Sequence, residues 1–256
     1  MKKWNKGKVL RLVGIGVLVC IMFCSVLILN FYNVINPISG VSALPVCSVD
    51  SEQKQVALTF DCVSFGKETR QIMNILDEFG VEATFFVPGE KAAKNESLLS
   101  DLWSKGHDIG NMTHTYRNLG DVKTNVIKNE IQECNNVIRK ITKEDSVLFR
   151  APYDDYGDNV VKTAAAMGMY SIRYDVDALT WKPELTAEKA VHSVMENVKP
   201  GSIIVFNADG RFVLDTLREI LTGLKMQQYQ PVRVTDMLFE DPFTVDVNGM
   251  QMQPHS

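Results

Sequence analysis

From Lys54 onward, short apolar runs alternate about seven times with longer amphipathic stretches, and this alternation restricts the fold more than any other feature of the chain. The extended runs are Val56–Phe60, Ala83–Val87, Asp108–Asn111, Val147–Phe149, Tyr170–Tyr174, Ser202–Phe206 and Pro231–Val234. Helical stretches lie between them. Ile72, Ile75, Leu76 and Phe79 keep the i, i+3, i+4, i+7 spacing of one helix face over Lys67–Phe79, and Gly80 supplies a stop. Leu98, Leu99 and Leu102 mark a short helix ending at Gly106. Ile127, Ile131, Cys134, Ile138 and Ile141 sustain a longer one. Val160–Met167, Ala187–Val198 and the Leu214, Leu217, Leu221, Leu224 series complete the pattern, and Asp236–Phe239 adds a possible final turn. Strand–helix alternation calls for parallel strands joined by helical crossovers, in a barrel or an open doubly wound sheet. In either architecture functional groups gather where strands end at their C-termini.

The N-terminus carries a separate signal. Leu12–Phe31 is an uncharged run of 20 residues. At about 1.5 Å per residue it matches the ~30 Å hydrocarbon core of a bilayer. Lys2, Lys3, Lys6, Lys8 and Arg11 precede it with no acid, which keeps that end in the cytoplasm and places the rest outside. A cleaved leader is the competing reading, but the small residues Val41-Ser42-Ala43 lie well beyond the apolar run. The chain therefore divides into a basic cytoplasmic segment (1–11), a transmembrane anchor (12–32), a Pro/Gly/Ser-containing linker (33–53), a globular domain (54–239) and a flexible tail (240–256). A net charge of −4, and no basic run beyond the N-terminus, exclude nucleic acid as a natural partner. Of the five cysteines, Cys20 and Cys24 lie in the apolar run. Cys47, Cys62 and Cys134 are an odd number without C-x-x-C spacing, so no disulfide framework is expected.

Five strand ends carry the chemistry: Thr59-Phe60-Asp61-Cys62, Asn111-Met112-Thr113-His114-Thr115-Tyr116, Arg150-Ala151-Pro152-Tyr153, Asp175-Val176-Asp177-Ala178-Leu179-Thr180-Trp181, and Phe206-Asn207. In order and spacing they resemble the five motifs of the polysaccharide deacetylase family (the NodB homology domain, carbohydrate esterase family 4). Val81-Glu82-Ala83-Thr84-Phe85-Phe86-Val87 and Gly106-His107-Asp108-Ile109-Gly110-Asn111 strengthen the resemblance, which spans about Lys54–Leu238. It implies an α/β fold, a distorted (β/α) barrel of about seven parallel strands. It also implies removal of acetyl groups from N-acetylated sugars of peptidoglycan or chitin. A divalent metal held by one carboxylate and two imidazoles would activate water, a carboxylate would act as base and a histidine as acid.

Residue by residue, the chain departs from that pattern. Asp61 stands at the base position and Arg150 at the position that orients it. The metal-ligand positions hold Cys62, Met112 and Tyr116 instead of one carboxylate and two imidazoles. Asn207 replaces the acid histidine, and Thr180 replaces the aspartate paired with it. Thioether and neutral phenol are poor ligands, and an amide has no proton to give. The resemblance with these losses implies a membrane-anchored pseudoenzyme that binds cell-wall glycan (peptidoglycan) or a membrane or wall protein, with no cofactor. The alternatives are an active deacetylase using Asp61, Cys62 and His114 around zinc or another divalent metal, and a structural partner in a membrane complex. Each residue also has a bland reading. Asp61–Arg150 reads as an ion pair holding the strand ends, Cys62 as a core filler, His114 as a hydrogen-bonded side chain and His107 as structural. Tyr153 and Trp181 either stack on sugar rings or pack in the core. Asp154, Asp155, Asp158, Asp175 and Asp177 form an acidic rim that is either solvated or a site for a cation or amino sugar.

Overall fold

A computed structural model of the chain describes residues 44–182 and 184–254. The expected cytoplasmic segment 1–11, the membrane segment 12–32 and most of the linker lie outside the described residues. Among the described residues, no helix is long and apolar enough to cross a membrane.

The centre of the fold is β2 (Gln55–Asp61), whose Val56, Ala57, Leu58, Thr59 and Phe60 are all fully buried. Burial on both faces is what a continuous apolar strand in a parallel sheet requires. On one side β2 pairs with β3 (Thr84–Val87) and on the other with β8 (Ile203–Asn207), all parallel. The register sets Phe60 between Phe85 and Phe206, with ring centroids 5.0 and 5.1 Å away. The same register brings Asp61 level with Asn207. Beyond β3 come β4 (Asp108–Asn111), β5 (Leu148–Phe149) and β6 (Tyr170–Ser171); beyond β8 comes β7 (Val176–Asp177). The path β6-β5-β4-β3-β2-β8-β7 is parallel throughout, and β9 (Gln230–Val232) pairs with the N-terminal half of β2. Among the described residues β6 and β7 do not pair, so the wall is an open barrel.

Helices cover this wall. α1 (Lys67–Phe79) buries Ile72, Met73, Ile75 and Leu76. It ends at Gly80, whose φ of 65° lets the Gly80 N–H reach Asp77 O and the Val81 N–H reach Leu76 O, a Schellman stop. Then follow α2 (Gly89–Lys94), α3 (Glu96–Ser104), α4 (Thr124–Thr142), α5 (Asp158–Ala166), α6 (Ala187–Asn197), α7 (Val213–Met226) and the single turn α8 (Val234–Met237). α2 and β7 were not expected from the sequence.

A second, small sheet differs from the expected linker and tail. β1 (Ser48–Val49) pairs in parallel with β11 (Met250–Met252), which pairs antiparallel with β10 (Thr244–Val245). Val46, just before β1, bridges to Ile172, and Ser48 bridges to Ser202. The segment thus runs from the β6 edge to the start of β8, covering backbone groups that an open edge would leave unpaired. The tail is fastened by Gln251, which is fully buried: its side-chain N–H donates to Phe239 O at 3.0 Å and its Oε1 accepts from Phe239 N at 2.9 Å. The residues expected to be linker and tail therefore contribute structure over 46–49 and 244–252, because their backbone hydrogen bonds are made to the barrel and to each other.

Candidate functional site

Asp61 is the last residue of β2 and points into a cleft of about 470 Å³ at the C-terminal ends of the strands. Arg150, just after β5, is only 3% exposed and is held from every side. Its Nε donates to Ile172 O (3.2 Å) and Nη2 to Arg173 O (2.8 Å). Its Nη1 donates to Thr59 Oγ1 (2.9 Å) and to Asp61 Oδ1 (2.8 Å). The guanidinium also lies 4.1 Å from the Phe86 ring centroid. Burial pushes the Asp61 carboxyl above its ordinary range, and the pull of Arg150 only partly offsets this.

The loop 112–116 is strained and fastened. Thr113 and Tyr116 have φ of 61° and 57°, a region costly for side chains with a Cβ. Asn111, fully buried, donates to Ile131 O and Asn135 Oδ1 and accepts from Thr113 N. Glu130 of α4 accepts from the His114 N–H (3.0 Å), the Thr115 N–H (2.9 Å) and the Thr115 hydroxyl (2.8 Å). These anchors escaped the sequence reading, although an acid inside the apolar stripe Ile127–Ile131–Cys134 was a visible signal. The result is that Met112, 1% exposed, and Tyr116 both line the cleft. Burial, with Asp61 nearby, lifts the Tyr116 phenol to about 12, so it stays protonated at neutral pH.

Cys62 does not join them. Its thiol is fully buried in the main core beside Phe60 and Phe65, lies 3.7 Å from Phe60 O, and burial pushes its pKa far up. His114 is separate again: a Cβ on Gly89 would meet its Nδ1 at 2.5 Å, so the ring packs against the start of α2. The expected alternative set Asp61, Cys62, His114 is therefore not brought together. Cys47, Cys62 and Cys134 are all free and buried. Asn207 turns its Oδ1 to the Asp209 N–H (2.9 Å), and the Thr180 hydroxyl bridges the Asn207 backbone, accepting from its N–H (2.9 Å) and donating to its carbonyl (3.1 Å). Thr180 thus fastens the loop after β7 to the end of β8, a task that needs no titratable group.

The remaining wall is aromatic: Tyr153, Tyr156, Tyr174 and Trp181. Tyr153 and Trp181 are 63% and 56% exposed, which places them on the cleft surface and not in the core. Tyr153 sits 5.0 Å from the Tyr116 ring. Trp181 is oriented by its indole N–H, which donates to Asp177 Oδ2 at 2.9 Å. Tyr156 donates to Ile172 O at 2.5 Å. Of the five acids read as one rim, only Asp154 lines the cleft, paired to Arg173 through two hydrogen bonds. Asp177 reaches it through Trp181. Asp175 turns to the start of β8, accepting from Ile203 N and Ser202 Oγ; Asp158 pairs with Lys162 on α5; and Asp155 lies against Gly120. A rim read from sequence proximity separates because successive residues after a strand end face different ways.

A divalent cation does not suit the donors at these positions. A thiol locked in the core, a thioether and a neutral phenol replace the carboxylate and two imidazoles that the resemblance calls for. The fold and the strand-end constellation define a glycan-deacetylase-type barrel in which, among the described residues, no cluster of metal-ligating side chains is assembled. The comparisons agree with the fold. Residues 48–172 match the model of the polysaccharide deacetylase family. A peptidoglycan-N-acetylglucosamine deacetylase of Bacillus cereus is 30% identical over 72% of this chain and 68% of its own. A chitooligosaccharide deacetylase of Sinorhizobium fredii is 34% identical over 59% of this chain and 71% of its own. The chain belongs to the polysaccharide deacetylase family, a family of hydrolases. Among solved structures, a CE4 family pseudoenzyme from Bacillus anthracis matches with a TM-score of 0.73 at 26% identity, covering 78% of this chain and 70% of that one. A mutant described as that pseudoenzyme with restored enzymatic activity matches with a TM-score of 0.73 at 27% identity, covering 78% and 73%.

Proposed function

We propose that this chain is a catalytically inactive deacetylase-like protein, anchored outside the cytoplasmic membrane by residues 12–32, whose cleft binds cell-wall glycan. The single observation that carries the reading is the cleft itself. The base Asp61 and its partner Arg150 are in place, the cleft is open and aromatic, and none of Cys62, Met112 and Tyr116 offers a metal an anionic or imidazole donor. Without a metal, Asp61 has neither an activated water nor a group to stabilise the oxyanion. Each ~1.4 kcal/mol of lost stabilisation is a tenfold loss in rate, and such electrostatic help amounts to several kcal/mol. The cleft being open rather than plugged favours a small ligand over a purely structural role. The relatives from Bacillus cereus and Sinorhizobium fredii act on peptidoglycan or chitooligosaccharide by their names, which supports a polysaccharide as the ligand.

The test is an acetate-release assay on N-acetylglucosamine oligomers with the purified chain and with a variant carrying Cys62→Asp, Met112→His, Tyr116→His, Thr180→Asp and Asn207→His. The parent should release none, and the folded variant supplied with zinc should gain activity, as the restored Bacillus anthracis pseudoenzyme suggests. Turnover by the parent comparable to an active deacetylase would sink the reading.

A further inference from the structure

The geometry points to a cleft that recognises an organic ammonium, and so selects the free amine of de-N-acetylated glucosamine units over their N-acetylated form. This rests on the reading of the cleft as a glycan site and names which state of the glycan it takes. Of the two Asp61 carboxylate oxygens, Arg150 donates to Oδ1 only, and Oδ2 accepts no hydrogen bond from any described residue, while the side chain is 26% exposed at the cleft. The other donors of Arg150 are committed to Ile172 O, Thr59 Oγ1 and Arg173 O, and Arg173 is committed to Asp154. Both guanidiniums are therefore anchored by protein partners, and Asp61 retains one open oxygen.

Aromatic rings share its cleft. Tyr116, Tyr153, Tyr174 and Trp181 line the same cleft. Tyr153 is held 63% exposed at a φ of 59°, an arrangement a bulky residue adopts only under constraint. Trp181 already takes the ammonium of Lys182, 5.1 Å from its ring centroid. A divalent metal demands several anionic or imidazole donors in fixed geometry, and the two carboxylates of this cleft, Asp61 and Asp154, are each paired to an arginine. An alkylammonium asks only for a carboxylate oxygen and aromatic faces, which is the set present. The acetyl group of the usual substrate removes the charge that this set recognises. The loss of the metal ligands and the retention of Asp61 then have one explanation: the cleft binds the product state of the deacetylation its relatives perform.

The experiment is calorimetric titration of the full chain with tetra-glucosamine, tetra-N-acetylglucosamine and tetralysine. The expected result is that tetra-glucosamine binds on the order of tenfold tighter than the acetylated tetramer, and tighter than tetralysine. Asp61→Asn should erase that preference, and Tyr153→Ala, which removes an exposed ring without opening the core, should weaken tetra-glucosamine severalfold. Circular dichroism melts confirm that each variant is folded. Equal binding of both sugars, or tighter binding of the acetylated one, would overturn this inference and leave the glycan reading standing. Tetralysine matching tetra-glucosamine would overturn it by assigning the effect to net charge. Failure of both sugars to bind would overturn the glycan reading with it.

Discussion

At the scale of single residues, Arg150 carries more of the site than any other side chain. It joins the end of β2 to the carbonyls that follow β6, and it does so from a buried position. Removing one partner of such a pair leaves the other charge desolvated and alone. Arg150→Ala is expected to lower stability by about 3 kcal/mol and the melting temperature by roughly 10 °C. Asp61→Asn keeps an oxygen for Arg150 to donate to but removes the carboxylate paired with this buried guanidinium, so it should also destabilise, by about 1–2 kcal/mol, less than Arg150→Ala because the hydrogen bonds of Arg150 persist. Thermal melts of the two variants check this asymmetry, and equal losses would mean that the pair is not the anchor described. Asp61 beside Arg150 was legible in the sequence; that Met112, Tyr116, Thr180 and Asn207 replace ligands, acid partner and acid is what the family resemblance implies. The burial of Cys62 was legible too, in its reading as a core filler. Its position in the motif places it next to the base, yet the strand ends there and the chain turns its thiol into the core.

At the scale of elements, long periodic stretches could be read directly and short ones could not. Lys67–Phe79 was bounded to the residue because its apolar positions follow 3.6-residue spacing and Gly80 marks its end. Strands β1, β7 and β10 have two residues each, too few to display any period, and their pairing is set by distant segments. The same distance effect governs His107, where β4 begins. Its Nδ1 accepts from the Ala83 N–H at 3.2 Å, tying the start of β3 to β4, and its ring packs edge-on to Phe85. Burial lowers its pKa from 6.5 to about 4. A histidine whose folded pKa is depressed stabilises the fold above 6.5, and that contribution fades as pH falls towards 4, because the unfolded chain takes the proton first. The contribution is on the order of 3 kcal/mol. His107→Asn, which retains an acceptor, should flatten this part of the stability profile in denaturant melts between pH 7 and 4; an unchanged profile would remove His107 from the account.

At the scale of the whole molecule, a polysaccharide deacetylase barrel keeps its strand-end scaffold, while Cys62 turns away from Met112 and Tyr116. Alternation left a barrel or an open doubly wound sheet, the family resemblance implied the barrel, and the open barrel fits that implication. The small sheet of β1, β10 and β11 was not foreseen, since nothing in Pro45–Val49 or Phe243–Gln251 announces that they meet. The central claim is chemical: Cys62, Met112 and Tyr116 do not form a divalent-cation site. Zinc titration of the purified chain, read by calorimetry and by metal content after dialysis, tests it most directly. The account predicts substoichiometric zinc in the parent and one zinc per chain in the variant with Cys62→Asp, Met112→His and Tyr116→His. One tightly held zinc in the parent, lost on mutating Cys62 or Tyr116, would contradict it.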